Sequence, residues 1–409
     1  MIRLKVPLSL LSSCILCSCQ AKTSFAEKAV TSYYAASIID HKDPILLPIE
    51  PYTKNKEAGW QFLDRATIRL AQGDASGSIN DYLMAMDASD FYRNSLLQEQ
   101  VAQWLVDDAQ AAYIPPFHEA LLARFMAACA CFQSDDPKNG IAFLRQALEL
   151  ESLQHELVSL STPDFHPLIH YLLAVAMEFG GDMSQAKLLY QRLGMSEGRG
   201  EKDKAQVVFV IYDRVIPKKE SEVAPTSIVS MQLLELLLKA YHIQPALSSL
   251  SGIAIPIFPE HTLSFPPPIL SIDGEKTASV LSYDVFSAAK AELQQQIPFI
   301  AARAAARQLI RRASIGYAYE KDQPLGRVVD IGMLFANLMT KADTRMWNAL
   351  PQEIFLFRKD LEPGDHTIAL SHGKEHTIRV GAGDLVVVQI FRPHGHETRF
   401  LIPKSKVTT

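Results

Sequence analysis

Three arginines recur at four-residue intervals in an alanine-rich stretch, and their side chains could bind an anion. They are Arg303, Arg307 and Arg311. On a helix this spacing predicts a stripe of guanidinium groups along one side. The stripe could receive a phosphate or an acidic polymer. It could equally pair with carboxylates of the same chain, such as Asp343, and the sequence favours this internal pairing because a buried arginine requires an acceptor.

A second group of residues lies in the segment Ala342–Pro351. Asp343 and Arg345 carry opposite charges two residues apart, and Trp347 follows after another two. We expect Asp343 and Arg345 to form an ion pair that holds a junction between a helix and a strand, with the indole of Trp347 covering it. A ligand-binding role for the three side chains is the alternative.

Two further patterns match functional motifs only formally. The residues from Gly194 to Gly198 match the nucleophile elbow of serine hydrolases. That motif acts at a turn from a strand to a helix, whereas a helical pattern precedes it here. His394 and His396 could bind a metal, but no nearby cysteine completes a ligand set. We therefore predict no catalytic residue, no metal site and no cofactor, and favour a protein that is not an enzyme.

The amino-terminal residues have the layout of an export signal that ends at a lipid-modified cysteine. A basic opening and an apolar run too short to span a membrane lead into it. Leu16 and Ser18 lie three residues and one residue before Cys19, as the lipid-attachment pattern requires. We predict that residues 1–18 are removed and that Cys19 carries the lipid, with Cys14 as the alternative site.

The lipid predicts a membrane location for the mature protein. Gln20 follows Cys19, where an aspartate would be the usual signal for retention at the inner membrane. We therefore expect the protein to be anchored in the outer membrane and to face the periplasm. The lipid is its predicted attachment to the membrane, because no later stretch has the length and purity of a transmembrane helix.

Composition limits the class of protein and its partners. The chain has 409 residues, of which 48% are hydrophobic and 21% charged, as is typical of a globular chain with a substantial core. A net charge of −5 argues against nucleic acid as a partner. Cys129 and Cys131 lie outside the signal, and residues two apart on a helix point about 200° apart. We therefore predict two buried, unpaired thiols.

The first half of the body has a helical pattern with internal repeats. A possible short helix and a tether are expected over 19–54, and a helical domain over 55–200. Small residues and a Gly-Asp turn recur around Asp74 and Asp182, with a weaker copy around Asp136. These repeats resemble tetratricopeptide units, in which small residues let paired helices approach each other. Their spacing is irregular, so we expect an intervening helix over 91–112 to interrupt the array.

The second half predicts strands and long helices, which makes the fold class α+β. A mixed region over 205–345 begins with a buried strand at Val207–Tyr212 and contains a long helix over 283–319 and a second over 325–341. A β region over 346–403 is expected to pack against it. Four strands with short connections are predicted there: Glu353–Phe357, His366–Leu370, His376–Val380 and Leu385–Arg392. Such connections favour an antiparallel meander that forms one sheet of a small sandwich.

Three of these segments occur in the same order in a known family. They are the strand Val207–Tyr212 with Pro217–Glu220, the arginine-containing helix, and Ala342–Pro351 with its Asp-Thr-Arg-x-Trp-x-x-Leu-Pro pattern. In these features the chain resembles an uncharacterised family of bacterial lipoproteins with an amino-terminal tetratricopeptide-like region. The resemblance spans roughly residues 55–392. It implies architecture and an envelope location, and it supplies no activity or catalytic residue.

Two functions remain compatible with the sequence. The first is a lipid-anchored scaffold that binds another envelope protein through the helical repeats, since stacked helical hairpins form extended binding surfaces. The second is a binding or enzymatic module in residues 205–403 that acts on an anionic envelope component through Arg303, Arg307 and Arg311. The sequence does not fix the oligomeric state.

Overall fold

A computed structural model describes most of the chain beyond the amino-terminal segment. The described residues are 49–104, 111–157, 166–195, 203–224, 253–260, 266–321, 342–371, 373–395 and 398–403. Several predicted features lie outside them, among them the signal with Cys19, most of the tether over 19–54, and the helix over 325–341. Within the described residues, helices and sheets confirm the predicted α+β class.

The helical half consists of three hairpins that follow one another along the chain. They are α1 (Ala58–Gln72) with α2 (Ala75–Trp104), α3 (Phe117–Gln133) with α4 (Pro137–Leu157), and α5 (Pro167–Phe179) with α6 (Met183–Arg192). Each helix packs against the next one in the chain. The hairpins therefore form a layer in sequence order.

The same backbone chemistry closes each hairpin. A residue with positive φ ends the first helix or turn: Gly73 at 85°, Asp135 at 56° and Gly181 at 81°. The aspartate that follows it accepts a hydrogen bond from a backbone N–H in the first turn of the second helix. These bonds join Gly77 to Asp74 at 2.9 Å, Asn139 to Asp136 at 3.2 Å, and Gln185 to Asp182 at 3.2 Å. The repeated motif in the sequence is thus a repeated turn in the structure.

The irregular spacing of the repeats comes from the length of α2. The sequence predicted a separate intervening helix over 91–112, and this is wrong, because Ala75–Trp104 is one helix of 30 residues. No glycine or proline interrupts residues 78–104, so nothing ends the helix there. The long helix displaces the next hairpin along the chain without inserting another helix before it.

A five-stranded mixed sheet lies against the hairpins. Its strands, in spatial order, are β11 (Arg399–Leu401), β10 (Leu385–Arg392), β1 (Ala205–Val215), β7 (Pro351–Leu361) and β6 (Leu281–Asp284). The central strand β1 runs parallel to β10 and antiparallel to β7. In this register Val210 lies opposite Gln389 on one side and Leu356 on the other.

The other strands form two antiparallel sheets. One has four strands in the order β5 (Glu275–Thr277), β4 (Leu270–Ile272), β8 (Gly364–Leu370) and β9 (His376–Val380). The other pairs β2 (Glu220–Ala224) with β3 (Ile253–Ile257). The predicted meander is therefore wrong as a single sheet, although its four strands exist. β1 inserts between β7 and β10, so these two strands join one sheet while the hairpin of β8 and β9 joins another.

Strand β1 is buried on both faces and marks the order of the layers. Val208 and Val210 belong to the apolar core shared with the hairpins, whereas Val207 and Phe209 belong to the core shared with the four-stranded sheet. The molecule thus stacks a helical layer, the five-stranded sheet and the four-stranded sheet. Burial on both faces explains why the strand reads as a continuous apolar run rather than an alternating one, and it confirms the predicted buried strand Val207–Tyr212.

One long helix, α7 (Val285–Lys321), begins directly after β6 and confirms the predicted long helix. The side chain of Asp284 caps it by accepting the backbone N–H of Ser287 at 2.8 Å. Its first turns are buried at Val285 and Ala289, whereas Phe299 is 70% exposed. None of the helices in the described ranges is long and apolar enough to cross a membrane.

Candidate functional site

Asp343 and Arg345 form an ion pair in the extended segment that crosses the hairpins before β7. The Arg345 guanidinium donates from Nε and Nη2 to the two carboxylate oxygens of Asp343, at 2.8 and 2.7 Å. Its Nη1 donates to the backbone carbonyl of Ala111 at 2.8 Å, and the group lies 6.0 Å from the centroid of the Tyr113 ring. The pair therefore fastens the segment to the connection between α2 and α3.

Trp347 is the anchor of this segment. Its side chain is fully buried, and Nε1 donates to the hydroxyl of Thr67 in α1 at 2.9 Å. Its ring packs edge-on against Tyr82 of α2, with centroids 5.9 Å apart. Its backbone N–H donates to the carboxylate of Glu119 in α3 at 3.3 Å. One residue thus contacts the first three helices.

Two buried carboxylates accept hydrogen bonds from the backbone of the segment. Asp64 of α1 accepts the N–H of Ala349 at 2.7 Å and a side-chain N–H of Asn348 at 2.9 Å. Glu119 also accepts the phenol hydroxyl of Tyr113. Burial raises the pKa of Tyr113 well above its ordinary value, and the charge of Glu119 raises it further, so this phenol remains a donor. Both carboxylates therefore position protein donors.

The sequence did not predict the residues that bind this segment, although the position of one of them was informative. Asp64 lies on the buried face of α1, together with Ile68 and Ala71. A carboxylate on the apolar side of an amphipathic helix indicates a specific buried partner. The identity of that partner, Ala349, depends on how the two halves pack and cannot be read from α1.

A second polar cluster surrounds the first turns of α3 and α5. Glu292 of α7 accepts the backbone N–H groups of Phe117 and His118 at 2.8 and 3.0 Å, and its carboxylate lies 2.6 Å from Nδ1 of His118. A carboxylate at a helix amino terminus is favoured by the free N–H groups and the helix dipole. Burial alone would raise the pKa of Glu292, but the hydrogen bonds and charge of His118 lower it below its ordinary value.

Glu151 of α4 serves the start of α5 in the same way. It accepts the backbone N–H of His166 and lies 2.8 Å from Nε2 of His170. The His166 ring is buried against the ring of Tyr283, with centroids 4.3 Å apart. Neither of its ring nitrogens has a hydrogen-bond partner in the described part of the chain. Burial lowers the pKa of His166 to about 3, with nearby His170 and His118 contributing, so the ring is neutral near pH 7.

Other polar contacts join the hairpins to the five-stranded sheet. Arg358 of β7 donates to both carboxylate oxygens of Glu178 at 2.9 and 3.0 Å and to the hydroxyl of Tyr190 at 2.8 Å. The Gln389 amide of β10 donates to the backbone carbonyl of Cys129 at 3.0 Å. Cys129 and Cys131 are both buried and unpaired, as predicted.

The three arginines of the predicted stripe all lie in α7. Arg303 is half-buried, and the side chains of Arg307 and Arg311 lie outside the described residues. The pairing of the stripe with carboxylates of the same chain, such as Asp343, therefore stays a prediction. Asp343 itself pairs with Arg345.

The remaining sequence motifs are dispersed. His366 pairs with Asp273 at 2.6 Å, and His376 stacks on Phe400 with centroids 4.2 Å apart. His396 and the serine of the elbow-like motif lie outside the described residues, and the helix α6 precedes that motif. Where the structure is described, no group of three or more His, Cys, Asp or Glu side chains is placed to hold a metal ion.

Both polar clusters thus join separate elements of the fold. Their carboxylates accept hydrogen bonds from backbone N–H groups. Asp64 and Glu119 hold the segment before β7, whereas Glu151 and Glu292 hold the starts of two helices. No family model, curated protein or solved structure matches this chain. What the protein does must be inferred from its own residues.

Proposed function

We propose that this protein is a lipid-anchored component of the bacterial envelope that acts as a scaffold for another envelope protein. The pattern from Leu16 to Cys19 supports the anchor. We place the anchored protein in the outer membrane, facing the periplasm. The three hairpins with their shared turn chemistry support a tetratricopeptide-like array. Arrays of this kind present extended surfaces to proteins.

The exposed side of the hairpin layer carries the proposal. The first helix of each hairpin faces the rest of the chain and is hydrogen-bonded to it. The bonded pairs are Thr67 with Trp347, the Cys129 carbonyl with Gln389, and Glu178 with Arg358. The second helix of each hairpin has a leucine in solvent: Leu83 is 40% exposed, Leu153 56% and Leu188 47%. These leucines recur on the second helices of successive hairpins, and this repetition supports contact with a protein partner. The partner surface is therefore assigned to α2, α4 and α6.

Photocrosslinking in cells tests this surface. A photoreactive residue at Leu83 or Leu153 is expected to yield one reproducible adduct of the same mass. The matched control is Ile269, which is 45% exposed and adjoins the four-stranded sheet on the other side of the molecule. Absence of a reproducible adduct from Leu83 and Leu153, or equal adducts from Ile269, would contradict the proposed scaffold.

The lipid anchor makes a separate prediction. Cys19→Ser is expected to abolish incorporation of labelled fatty acid and to release the protein from the membrane fraction, because stable attachment needs the acyl chains. Cys14→Ser is the matched control and is expected to retain both. Mass spectrometry of the mature amino terminus identifies the modified residue. Lipid on Cys14, or an unmodified mature protein, would refute the assignment.

A further inference from the structure

An open groove lies between the first two hairpins. Its apolar walls include Leu63 of α1, Met86 of α2 and Leu150 of α4, and its polar lining includes Asp90, Arg93 and Arg124. Two of the helices that line it, α2 and α4, also carry the exposed Leu83 and Leu153. The groove therefore opens within the surface assigned to the partner.

Arg124 of α3 is the group in this groove with unused hydrogen-bonding capacity. Its side chain is half-buried, and Nη1 donates to the carbonyl of Ala120 in its own helix at 2.9 Å. Its Nε is buried and has no hydrogen-bond partner among the residues described. A guanidinium has five N–H donors in a fixed planar arrangement. Contacts within the described residues thus leave part of the hydrogen-bonding capacity of Arg124 unused.

The charges at the groove favour an anion. Two arginines, Arg93 and Arg124, line it with one aspartate, Asp90. Burial lowers the pKa of Arg124, Asp90 opposes this effect and Arg93 adds to it. The guanidinium still remains charged at any physiological pH, so a negative group would be attracted to it.

We infer that the groove binds a carboxylate carried next to a large apolar side chain, on a segment of the partner protein, with Arg124 as its anchor. A carboxylate that enters the groove can accept charged hydrogen bonds from the Nη groups of the guanidinium. The apolar side chain would pack against Leu63, Met86 and Leu150. This inference rests on the proposed scaffold function and names the chemistry of its partner.

Two small probes test the inference on the full chain purified in detergent. One is N-acetyl-Leu-Phe with a free carboxylate, and the other is the same dipeptide with a terminal amide. Titration calorimetry is expected to show the acid binding at least about tenfold more tightly, which is the value of one charged hydrogen-bonded contact. Arg124→Gln should remove this preference, and Asp90→Asn should strengthen binding of the acid by relieving repulsion.

Arg192→Gln is the matched control, because Arg192 is an exposed arginine at the end of another helix, α6. It is expected to leave the affinity of the acid unchanged. Melting temperatures of all variants establish that they are folded, and Arg93→Gln, at an exposed position, replaces Arg124→Gln if the latter does not fold. It should then weaken binding of the acid.

Equal affinity for acid and amide, or an unchanged preference in the folded arginine variant, would overturn the inference. The inference would also be overturned if inorganic phosphate bound as tightly as the acid, because phosphate has no apolar side chain to pack against the groove walls. If adducts form at Leu83 and Leu153 but neither probe binds, the scaffold proposal is retained and the groove is excluded from the partner surface. Probe binding without any adduct would support the groove and count against the scaffold.

Discussion

Trp347→Ala is expected to lower the free energy of unfolding by about 3–5 kcal/mol, as removal of a large buried aromatic side chain does. The substitution empties a fully buried site, removes the hydrogen bond to Thr67 and ends the edge-on contact with Tyr82. It also loosens the segment whose backbone Asp64 and Glu119 hold. Urea denaturation followed by far-ultraviolet circular dichroism measures the change, because this signal does not depend on tryptophan.

Two comparisons separate the junction from the general effect of losing a tryptophan. Trp60→Ala removes a half-buried indole, and we expect a smaller loss of stability. Trp347→Phe keeps an aromatic ring in the site and removes the hydrogen bond from Nε1 to the Thr67 hydroxyl, at a cost of about 0.5–1.5 kcal/mol. If Trp347→Ala proved no more costly than Trp60→Ala, the segment would not be a principal contact between hairpins and sheet.

Lowering the pH from 6.5 to 4.5 is expected to reduce the free energy of unfolding by about 2 kcal/mol through His166 alone. The pKa of this ring is about 3 in the folded protein against an ordinary value of 6.5. Between those values the unfolded chain binds a proton that the folded chain does not, so stability falls as the pH falls. Glu292 has a lowered pKa, and its contribution is lost only at more acidic pH, as its carboxylate becomes protonated.

His166→Phe tests the origin of this pH dependence. Phenylalanine keeps an aromatic ring against Tyr283 and cannot take up a proton, so the slope of stability between pH 6.5 and 4.5 should flatten. The groups around the ring, Glu151, His170 and His118, are unchanged in this variant. His376→Phe, which alters a histidine stacked on Phe400 near the four-stranded sheet, should retain most of the wild-type slope. A wild-type slope in His166→Phe would assign the effect to other groups.

The features that the sequence predicted correctly are local ones. The buried strand at Val207–Tyr212 follows from its apolar run, the long helix from its composition, and the hairpin turns from residues such as Asp74 and Asp182 that cap their own helix. The ion pair of Asp343 with Arg345 also lies between close neighbours in the chain. In each case the interacting groups are a few residues apart, so the pattern contains both partners.

The features that could not be predicted depend on partners far apart in the chain. Asp64 and Ala349 are separated by 285 positions, and β1 pairs with β7 and β10 after more than a hundred residues. Turn lengths around β7 and β10 favour a meander and contain no information about β1. Asp64 and Glu119 each look like an isolated charge in a helix until the segment before β7 packs against them.

The contact between Asp64 and Ala349 also sets the order in which the chain can complete its fold. When the chain is made from its amino terminus, α1 is present long before Ala349. The Asp64 carboxylate therefore first lacks the backbone N–H that it holds in the native protein. The central strand β1 likewise emerges before both of its neighbours. Contacts of such high sequence separation make folding slow and leave apolar surface exposed meanwhile. Asp64 acquires its native partners Asn348 and Ala349 only when the last quarter of the chain has arrived.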